Sequence, residues 1–544
     1  MNKSVIVLLI INGITSFVFA QSPGIIVGTT RIDQQSEGST GNRIAVGSDG
    51  SVFFTWMNAL TGSGRPRHIY FNRVDSQGNW FSNGFGDRVS NDSVGGYCQV
   101  SMYDGNFGAV VYHGPANTYV KLAIDSDPPG YGIFSYYNPP DLLMPGNRHA
   151  LWPYVAVDRN NRIHITMTES TTYAGDPKRF AYTRSANNGI SWSDIQVIDS
   201  VKVNSGLVAA SPVSDKVVIA YTRMVDTSIQ LWNDVYYVLS QDGVNWDFSN
   251  GRVNVTNYAS DNDSLWAFTD LALIFDYNDN FHIAWNANWS STPDAYNKKT
   301  FLFHYNNGTQ TINQIRSPWP DYNWPDSGCA IGAWNRPICK MDFGVMQAGN
   351  ILFAIWTQFD SLDCSAHGFA NGDIWAAWTA NEGVNWNLMG NLTNSHTPGC
   401  TSGNCDNDNW GSLADIVDRG MQIFYVNSKS EGNDGSVPSQ MCYYYNSLGI
   451  SHQTTNPREF QLNQNYPNPF NSRTTISFAV QNESELTLDI YNILGEKVAN
   501  LFKGRRQPGN YKIIWDAHDV SSGVYYVVLS SENNHQTRKI ILLK

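Results

Sequence analysis

A two-strand phrase that recurs along the chain constrains its fold more than any other feature of the sequence. Each copy is an apolar strand, a tight turn of Asp, Asn and Gly, and a second strand rich in β-branched and aromatic residues. The copies lie at residues 43–56, 100–112, 154–166, 209–221, 271–285, 343–356 and 414–425, and the one at 100–112 is the weakest. Strands and turns at such regular intervals indicate an all-β protein built from one repeated supersecondary unit.

The repeats predict a β-propeller that occupies residues 21–446. A third strand follows most copies, and propeller blades are four-stranded sheets arranged around an axis. Seven copies give seven blades. The last unit has only three strands, the third at 441–446, whereas an additional strand at 25–32 precedes the first unit. We expect this strand to complete the last blade, because closure removes an exposed sheet edge.

Three of the third strands lead into a turn with a shared pattern. The turns at 185–192, 239–246 and 379–386 resemble the Asp-box, or BNR repeat, of sialidase-like propellers, which reads Ser-x-Asp-x-Gly-x-x-Trp. The Asp position holds Asn187, Gln241 and Asn381, and an Asn side-chain oxygen can still cap such a turn. The box is structural, since its Gly supplies a positive φ and its Trp packs beneath the turn.

The resemblance to sialidases does not extend to their catalytic residues. That family places an arginine in an Arg-Ile-Pro motif near the N-terminus, and neither 31–33 nor 65–67 matches it. None of its catalytic residues is therefore carried over to this chain. The family usually has six blades, so a six-bladed alternative stays open if the copy at 100–112 is not a blade.

The first twenty residues are organised as a secretory signal peptide. Lys3 precedes a short apolar run at 5–11, and a small residue, Ala20, ends the segment. Such a run is too short to span a membrane, and we expect cleavage after Ala20 and no transmembrane segment in the mature protein. An N-terminal core strand is the alternative.

The pattern changes after a polar linker at 447–459. The segments 460–471, 474–478, 488–495, 522–525 and 539–544 closely resemble, in order, the motifs of type A sorting domains of the type IX secretion system. The resemblance implies transfer across the outer membrane of a Bacteroidota-type bacterium by that machinery, to the cell surface or the medium. Alternating strands predict a small β-sandwich over 460–544. A carbohydrate-binding or fibronectin-like module is the alternative.

Charge and cysteine usage limit the partners. The formal net charge of −12 disfavours nucleic acid, because phosphate binding requires a basic surface. All seven cysteines follow the predicted cleavage site, so they enter a compartment where disulfides persist. Cys400 with Cys405, and Cys329 with Cys339, are close enough in sequence to close small loops. The cysteine spacings fit no zinc finger.

Long loops are expected on one face of the propeller, where binding and catalysis usually occur. They lie at 59–66, 134–150, 286–299, 317–338, 360–373 and 394–409. Residues just ahead of a first strand are predicted to point into the funnel mouth. The ligand-binding candidates are Trp152, Trp266, Trp334, Arg336, Asp408 and Trp410, because aromatic rings beside polar groups suit a sugar.

Asp270, Asp342 and His149 are the candidates for catalysis. A carboxylate at that depth is partly desolvated, which raises its pKa and suits acid–base work. The alternative for Asp270 and Asp342 is a hydrogen bond to backbone amides of the next blade, and many of the Trp residues are equally explained as packing. No cofactor is expected. The oxygen-rich run Asp406 to Asn409 is one that Ca²⁺ could use, but turn formation explains Asp406 and Asp408 better.

Two functions follow. The first is a surface or secreted protein that binds glycan and degrades it as a glycoside hydrolase or polysaccharide lyase. The second is a non-catalytic propeller for protein or polymer binding or for adhesion. A pair of carboxylates, or a His–Tyr–Arg set, converging at the axis would favour the first, and a funnel closed by aromatic residues would favour the second. The sequence does not choose between them, because fold does not imply function.

Overall fold

The structure is a computed structural model of the 544-residue chain. It describes residues 21–544 apart from residues 60, 62–65, 83–85, 91–93, 115–118, 127–128, 130, 142–148, 170–178, 202, 226–231, 259–264, 290–298, 318–323, 325–327, 333–334, 434, 449–459, 466–467, 481–483, 507–508 and 532–533. The predicted signal peptide, Trp334 and most of the predicted linker lie outside the described residues. The chain divides into two compact units, the first ending at Leu448 and the second beginning at Gly449.

The described strands of the first unit form seven antiparallel groups of four. Sheet 1 contains β2 (Ile44–Val46), β3 (Val52–Ala59), β4 (Arg67–Val74) and β5 (Asp87–Arg88). Sheet 2 contains β6 (Gly96–Tyr103), β7 (Phe107–His113), β8 (Val120–Asp125) and β9 (Phe134–Tyr137). Sheet 3 contains β10 (Ala150–Val157), β11 (Ile163–Glu169), β12 (Phe180–Ser185) and β13 (Gln196–Asp199). Sheet 4 contains β14 (Gly206–Ala210), β15 (Val217–Met224), β16 (Asn233–Ser240) and β17 (Val253–Asn254).

The remaining groups follow the same plan. Sheet 5 contains β18 (Leu265–Phe275), β19 (Phe281–Trp289), β20 (Thr300–Asn306) and β21 (Thr311–Arg316). Sheet 6 contains β22 (Ile338–Met346), β23 (Ile351–Cys364), β24 (Ala370–Thr379) and β25 (Asn387–Asn391). Sheet 7 contains β26 (Asn407–Leu413), β27 (Gly420–Ser428), β28 (Ser439–Ser447) and β1 (Ile25–Thr30). One pairing, Asn233 with Ala267, joins sheets 4 and 5 at their edges. The all-β class expected from the sequence is confirmed.

Apolar layers join each sheet to the next. Phe53 and Phe71 of sheet 1 share a cluster with Val100 and Val110 of sheet 2, and similar clusters link the later sheets in order. Another cluster brings Phe424 of sheet 7 back to sheet 1. Because both faces of a sheet are covered, its strands read as nearly continuous buried runs.

The strand predicted to complete the last unit does so. β1 pairs antiparallel with β28, and Ile26 lies opposite Cys442 and Thr30 opposite Ser439. Gly28 lets the other face of β1 approach sheet 1, since a Cβ there would lie 2.3 Å from the Trp56 ring of β3. Sheet 7 therefore contains strands from both ends of the first unit.

Residues 33–42, which we call the central segment, connect β1 to β2, hydrogen-bond to Met57 of sheet 1, and also touch the other six sheets. Six hydrogen bonds make these contacts. With the donor named first, they are Gln99 Nε2 to Thr40 O at 3.3 Å, Tyr154 Oη to Glu37 O at 2.9 Å, Ser39 N to Ser205 Oγ at 2.7 Å, Leu271 N to Ser39 Oγ at 2.7 Å, Lys340 Nζ to Gly38 O at 3.2 Å, and Ser412 Oγ to Gly41 O at 2.9 Å. These residues lie on or just before the first strands of sheets 2 to 7. Ten residues can reach all six only if those strands surround the segment.

The capped turns at the ends of the third strands form as expected, with one correction. Asn187 Oδ1 accepts from Ser191 N at 2.9 Å, and Asn381 Oδ1 accepts from Asn385 N at 3.1 Å. In the turn at 239–246 the cap is Asp242 rather than Gln241, because Asp242 Oδ1 accepts from Val244 N at 2.9 Å and Asn245 N at 2.8 Å. The sequence alignment of that copy was wrong by one residue.

One of the two suggested cysteine pairings forms. Cys400 is bonded to Cys405, but Cys329 is bonded to Cys364 and not to Cys339. Cys339 is buried within β22, where burial raises the pKa of its thiol to about 12. The pairing predicted from proximity in sequence was wrong because the partner is distant in sequence. Cys364 ends β23, which pairs with β24, and this end of β23 lies beside the loop that holds Cys329.

The second unit has two sheets. One contains β29 (Gln461–Leu462), β30 (Arg473–Val480) and β33 (Gly509–Asp516). The other contains β32 (Lys497–Arg506), β31 (Ser484–Asn492), β34 (Gly523–Ser530) and β35 (His535–Leu542). Both contribute to one apolar core, with Phe478 and Trp515 from the first and Leu488 and Val527 from the second. Among the described residues of the chain, no helix is long and apolar enough to cross a membrane.

Candidate functional site

Four first strands carry the same irregularity at the side of the sheets where the long loops lie, which we call the loop side. The pairing register between the first and second strands shifts at a β-bulge in each case. The bulges lie between Gly96 and Gln99, Leu151 and Tyr154, Cys339 and Asp342, and Asn409 and Ser412. The residues inside these bulges that have a positive φ are Tyr97 (50°), Trp152 (52°), Lys340 (54°) and Trp410 (55°). A positive φ is costly for bulky residues, and bulges re-aim side chains beside active sites.

Arg67, Tyr97 and His113 form one cluster on the loop side of sheets 1 and 2. Arg67 Nη2 lies 3.1 Å from His113 Nε2, and the Arg67 guanidinium lies 5.5 Å from the centre of the Tyr97 ring. The Tyr97 and His113 rings meet edge to face at 5.1 Å. Gly96 makes the room, since a Cβ there would lie 2.3 Å from His113 Nε2.

His113 is held in its neutral form. A guanidinium can only donate, so His113 Nε2 is the acceptor and the ring proton is on Nδ1. Burial, helped by the positive charge of Arg67, lowers the pKa of His113 to about 3. Among the described atoms, Nδ1 is buried and has no hydrogen-bond partner. His113 therefore orients Arg67 without neutralising it.

Tyr97 lies against Arg67, and Gln99, two residues further along β6, donates to Thr40 O of the central segment at 3.3 Å. Burial and the negative charge of Glu37 raise the pKa of Tyr97, while Arg67 opposes them. The phenol is therefore protonated at neutral pH and can donate a proton.

His149 lies at the same end of sheet 2. Its Nδ1 donates to Asp141 Oδ2 at 2.5 Å, and Asp141 Oδ1 accepts from Ala150 N at 3.1 Å. The Tyr119 ring, just before β8, lies 4.8 Å from the His149 ring. A carboxylate on Nδ1 fixes the tautomer in which Nε2 is the acceptor, the arrangement of a general base.

A cavity of about 240 Å³ lies on the loop side of the central segment. Its wall includes Glu37 and Gly38 of that segment, Asn204, Lys340 and Trp410. Asn204 is 6% exposed, and among the described atoms its Oδ1 has no hydrogen-bond partner. Such a buried acceptor is costly unless a ligand or water satisfies it.

Asp270 lies behind this cavity and not in it. Its Oδ1 is 3.0 Å from Lys340 Nζ, and its Oδ2 accepts from Lys340 N at 3.0 Å and from Asn286 Nδ2 at 3.2 Å. The side chain is fully buried. This placement matches the alternative considered for Asp270, a hydrogen bond to the next sheet, and it fixes the position of Lys340.

Asp342 makes the same link between sheets 6 and 7. Its Oδ2 accepts from Leu413 N at 2.8 Å and Ser412 Oγ at 3.0 Å, and its Oδ1 accepts from Phe343 N at 2.9 Å. Burial, with the charge of Asp415, raises the pKa of Asp342 to about 8. The raised pKa expected from the sequence is present, but its contacts are those of an inter-sheet hydrogen bond.

The other sequence-predicted residues are more dispersed. Trp266 is stacked on Trp232 with ring centres 4.7 Å apart. Arg336 is 1% exposed and lies over the Phe268 ring at 3.7 Å. Asp408 is fully buried, and burial together with Asp373 raises its pKa well above its usual value. Trp410 lines the central cavity, Trp152 occupies the bulge of sheet 3, and Trp334 lies outside the described residues.

Asp406, one of the two residues of the suggested Ca²⁺ position, is held by protein groups. Asp406 Oδ1 accepts from Asn427 Nδ2 at 2.9 Å and from Lys429 Nζ. An ammonium group at that oxygen competes with a cation. Within the described part of the chain, no three His, Cys, Asp or Glu side chains are grouped as metal ligands.

Residues 464–543 match the family model described as secretion system C-terminal sorting domain. The protein is thus exported to the cell surface or secreted. Among curated proteins, no sequence matches the chain.

Solved structures of glycan-active proteins resemble parts of the chain at low identity. Polysaccharide lyase Uly1 gives a TM-score of 0.43 at 11% identity, covering 74% of this chain and 89% of that one. The α-L-arabinanase of Penicillium chrysogenum, complexed with arabinobiose, gives a TM-score of 0.40 at 8% identity, covering 64% of this chain and 92% of that one. Hadza microbial sialidase Hz136 gives a TM-score of 0.37 at 10% identity, covering 70% of this chain and 73% of that one. TM-scores this low say nothing about activity, so the functional conclusion rests on the side chains of this chain.

Arg67, Tyr97, His113 and Glu37 were not identified from the sequence. Tyr97 stands just ahead of the first strand of the weak copy at 100–112, which is the position that singled out Trp152 and Trp410 elsewhere. Applying the same rule to that copy would have found it. Nothing in the local sequence indicates that Arg67, from another sheet, meets Tyr97 and His113 there.

Proposed function

We propose that the first unit is a seven-bladed β-propeller and that the exported protein binds and cleaves an acidic glycan on its loop side. The seven four-stranded groups, the apolar layers between consecutive sheets and the central segment support the propeller. The shared core of its two sheets supports a β-sandwich for the second unit, and the type IX machinery is the proposed export route.

The observation that carries the catalytic proposal is the Arg67–Tyr97–His113 cluster. Arg67 contacts a neutral His113 at 3.1 Å, and a guanidinium offers donors in a fork that matches a carboxylate. The acidic group of a uronate-type sugar is therefore the natural occupant.

Tyr97 and His149 supply the proton chemistry. With Arg67 holding the sugar carboxylate, His149 Nε2 takes the proton from the carbon next to it. The electron pair of that C–H bond forms a double bond to the neighbouring carbon, and the bond from that carbon to the glycosidic oxygen breaks. Tyr97 donates its phenolic proton to the leaving oxygen. This is β-elimination, the reaction of a polysaccharide lyase, and it balances without a cofactor.

Hydrolysis is less well supported by the same residues. It commonly requires two carboxyl groups flanking the scissile bond. Asp270 and Asp342, the carboxylates predicted for that role, are both engaged in links between sheets and are at most 5% exposed.

The test is the chemistry of the product. The full-length protein would be incubated with uronate-containing polysaccharides and with the same polymers after reduction of their carboxyl groups. Elimination gives a new double bond, seen by ultraviolet absorbance and NMR, only with the unreduced polymers. New reducing ends without a double bond would replace elimination with hydrolysis, and binding without either product would leave a non-catalytic propeller.

A further inference from the structure

The central segment closes the central cavity at the side away from the long loops. The segment is buried, with Ser36, Ser39 and Thr40 at most 1% exposed, and it is hydrogen-bonded to sheets 2 to 7. A polymer cannot pass through such a site. Only a chain end or a side group can enter it from the loop side.

The size and polarity of the cavity define the occupant. Its volume of about 240 Å³ is below the ~300–1,000 Å³ of pockets for drug-sized ligands, so it holds one sugar ring and not several. Lys340 Nζ does not provide an anion site there, because it donates to Asp270 Oδ1 at 3.0 Å and Gly38 O at 3.2 Å and lies 4.3 Å from the centre of the Trp410 ring.

The cavity wall instead presents acceptors, although Gln34 Nε2, in the same wall, donates to Glu37 Oε2 at 3.4 Å. Asn204 Oδ1 is a buried acceptor without a partner among the described atoms, and the Glu37 carboxylate is in the same wall. Sugar hydroxyl groups are donors of the required kind. Glu37 belongs to the central segment, whose Thr40 O accepts at 3.3 Å from Gln99 on β6, the strand that carries the proposed proton donor Tyr97.

We propose that the central cavity binds the terminal sugar unit of the glycan, through hydroxyl groups that donate to Asn204 Oδ1 and Glu37, and that the protein therefore acts from chain ends. This inference rests on the proposed function for the identity of the ligand as a glycan. It adds the position on the polymer at which the protein acts, the chain end, and two residues that bind substrate.

The first measurement follows product size over time with the full-length protein on a cleaved polymer. Action from chain ends releases single small products from the start, while the remaining polymer shortens gradually. A ladder of intermediate lengths at early times, the pattern of internal cleavage, would overturn the inference and leave the proposed function intact.

The second measurement is binding, which does not require cleavage. Short uronate oligosaccharides with free ends would be compared by calorimetry with the same oligosaccharides bearing a bulky group on one end or the other. Blocking one particular end should abolish binding. Equal binding of all three, or no binding of any, would exclude the cavity as a site for a chain end.

The Asn204→Leu variant tests the acceptor. It should bind the free-ended oligosaccharide about tenfold more weakly, the loss of roughly one hydrogen bond, and melt at or above the wild-type temperature because an unpaired acceptor is removed. Asn160→Leu, at an exposed turn where Asn160 Nδ2 contacts Asp215 at 3.0 Å, is the matched control and should bind normally. Undiminished binding by a folded Asn204→Leu protein would contradict the assignment.

Discussion

Asp158 and Asp342 are almost equally buried, with 4% and 5% exposure, yet their pKa values shift in opposite directions. Asp158 lies at the turn side of sheet 3, where burial raises its pKa but His164 and Arg162 outweigh burial and bring it to about 2. Asp342 lies near the loop side of sheet 6, where it meets backbone amides and Ser412, and its pKa rises to about 8. Burial raises both pKa values: it prevails at Asp342, whose hydrogen-bond donors are neutral, and it is outweighed at Asp158 by the hydrogen bonds and charge of His164 and the hydrogen bonds of Arg162.

The same contrast holds between the two ends of single strands. On β4, Arg73 at the turn side donates to Asp49 Oδ2 at 2.7 Å, whereas Arg67 at the loop side contacts the neutral His113. On β6, Tyr103 at the turn side donates to Asn188, whereas Tyr97 at the loop side stands beside Arg67. The turn side uses its polar groups to hold the fold. The loop side presents groups that can serve a ligand.

The Tyr pair should give the largest difference. Tyr97→Phe removes the proposed proton donor and should lower kcat at least about 100-fold, the usual contribution of general acid–base catalysis, with an unchanged melting temperature. Tyr103→Phe, on the same strand, should retain activity. Kinetics on an acidic polymer check both, and a fully active Tyr97→Phe enzyme would remove Tyr97 from the mechanism.

The Arg pair should separate substrate recognition from folding. Arg67→Lys keeps the charge but loses the fork that matches a carboxylate, so we expect kcat/KM to fall about tenfold with little change in the free energy of unfolding. Arg73→Lys should lower stability and leave kinetics unchanged. If Arg67→Lys acts equally well on the acidic polymer, the carboxylate is bound elsewhere.

The Asp pair should respond to pH with opposite signs. Between about pH 4 and pH 8 the folded protein keeps the Asp342 proton that the unfolded chain releases, so this group makes stability fall as pH rises, by at most about 1.4 kcal/mol per unit. The free energy of unfolding of Asp342→Asn, relative to that of the wild type, should therefore increase from pH 5 to pH 8. Asp158→Asn should be less stable than the wild type at neutral pH, and its deficit should shrink below about pH 4 as the wild-type carboxylate is protonated.

Urea unfolding at several pH values measures both Asp variants. A difference between Asp342→Asn and the wild type that does not change with pH would mean that Asp342 is ionised in the folded protein.

The smallest effect concerns the corrected turn cap. Asp242→Ala should lower the free energy of unfolding by about 0.5–1 kcal/mol, because it removes two hydrogen bonds at an exposed turn. Gln241→Ala should be neutral. Equal effects of the two substitutions would restore the original alignment of that turn.

The repeated phrase predicts much of the fold because alternation and turn chemistry are local properties. It identified the strands, the Asn caps at Asn187 and Asn381, and the pairing of β1 with β28, for which the missing fourth strand was sufficient evidence. It misplaced the third cap by one residue, since Gln241 and Asp242 differ in capping ability but both occupy a turn. The sequence placed Asp270 and Asp342 just ahead of first strands, whereas both lie within them, in β18 and β22, because those strands begin earlier than the apolar pattern indicated.

The site depends on contacts between residues far apart in the chain, and these only the tertiary structure decides. Arg67 meets His113 because sheets 1 and 2 are stacked, and Gly96 matters because it clears the space between them. The central segment meets β6 and five other sheets through hydrogen bonds, a position that its polar, irregular sequence does not encode. By itself the sequence determined strands, turns and the C-terminal sorting domain, which arise from neighbouring residues. Which side chains face an unsatisfied acceptor or a neutral histidine depends on how the sheets are arranged around the central segment.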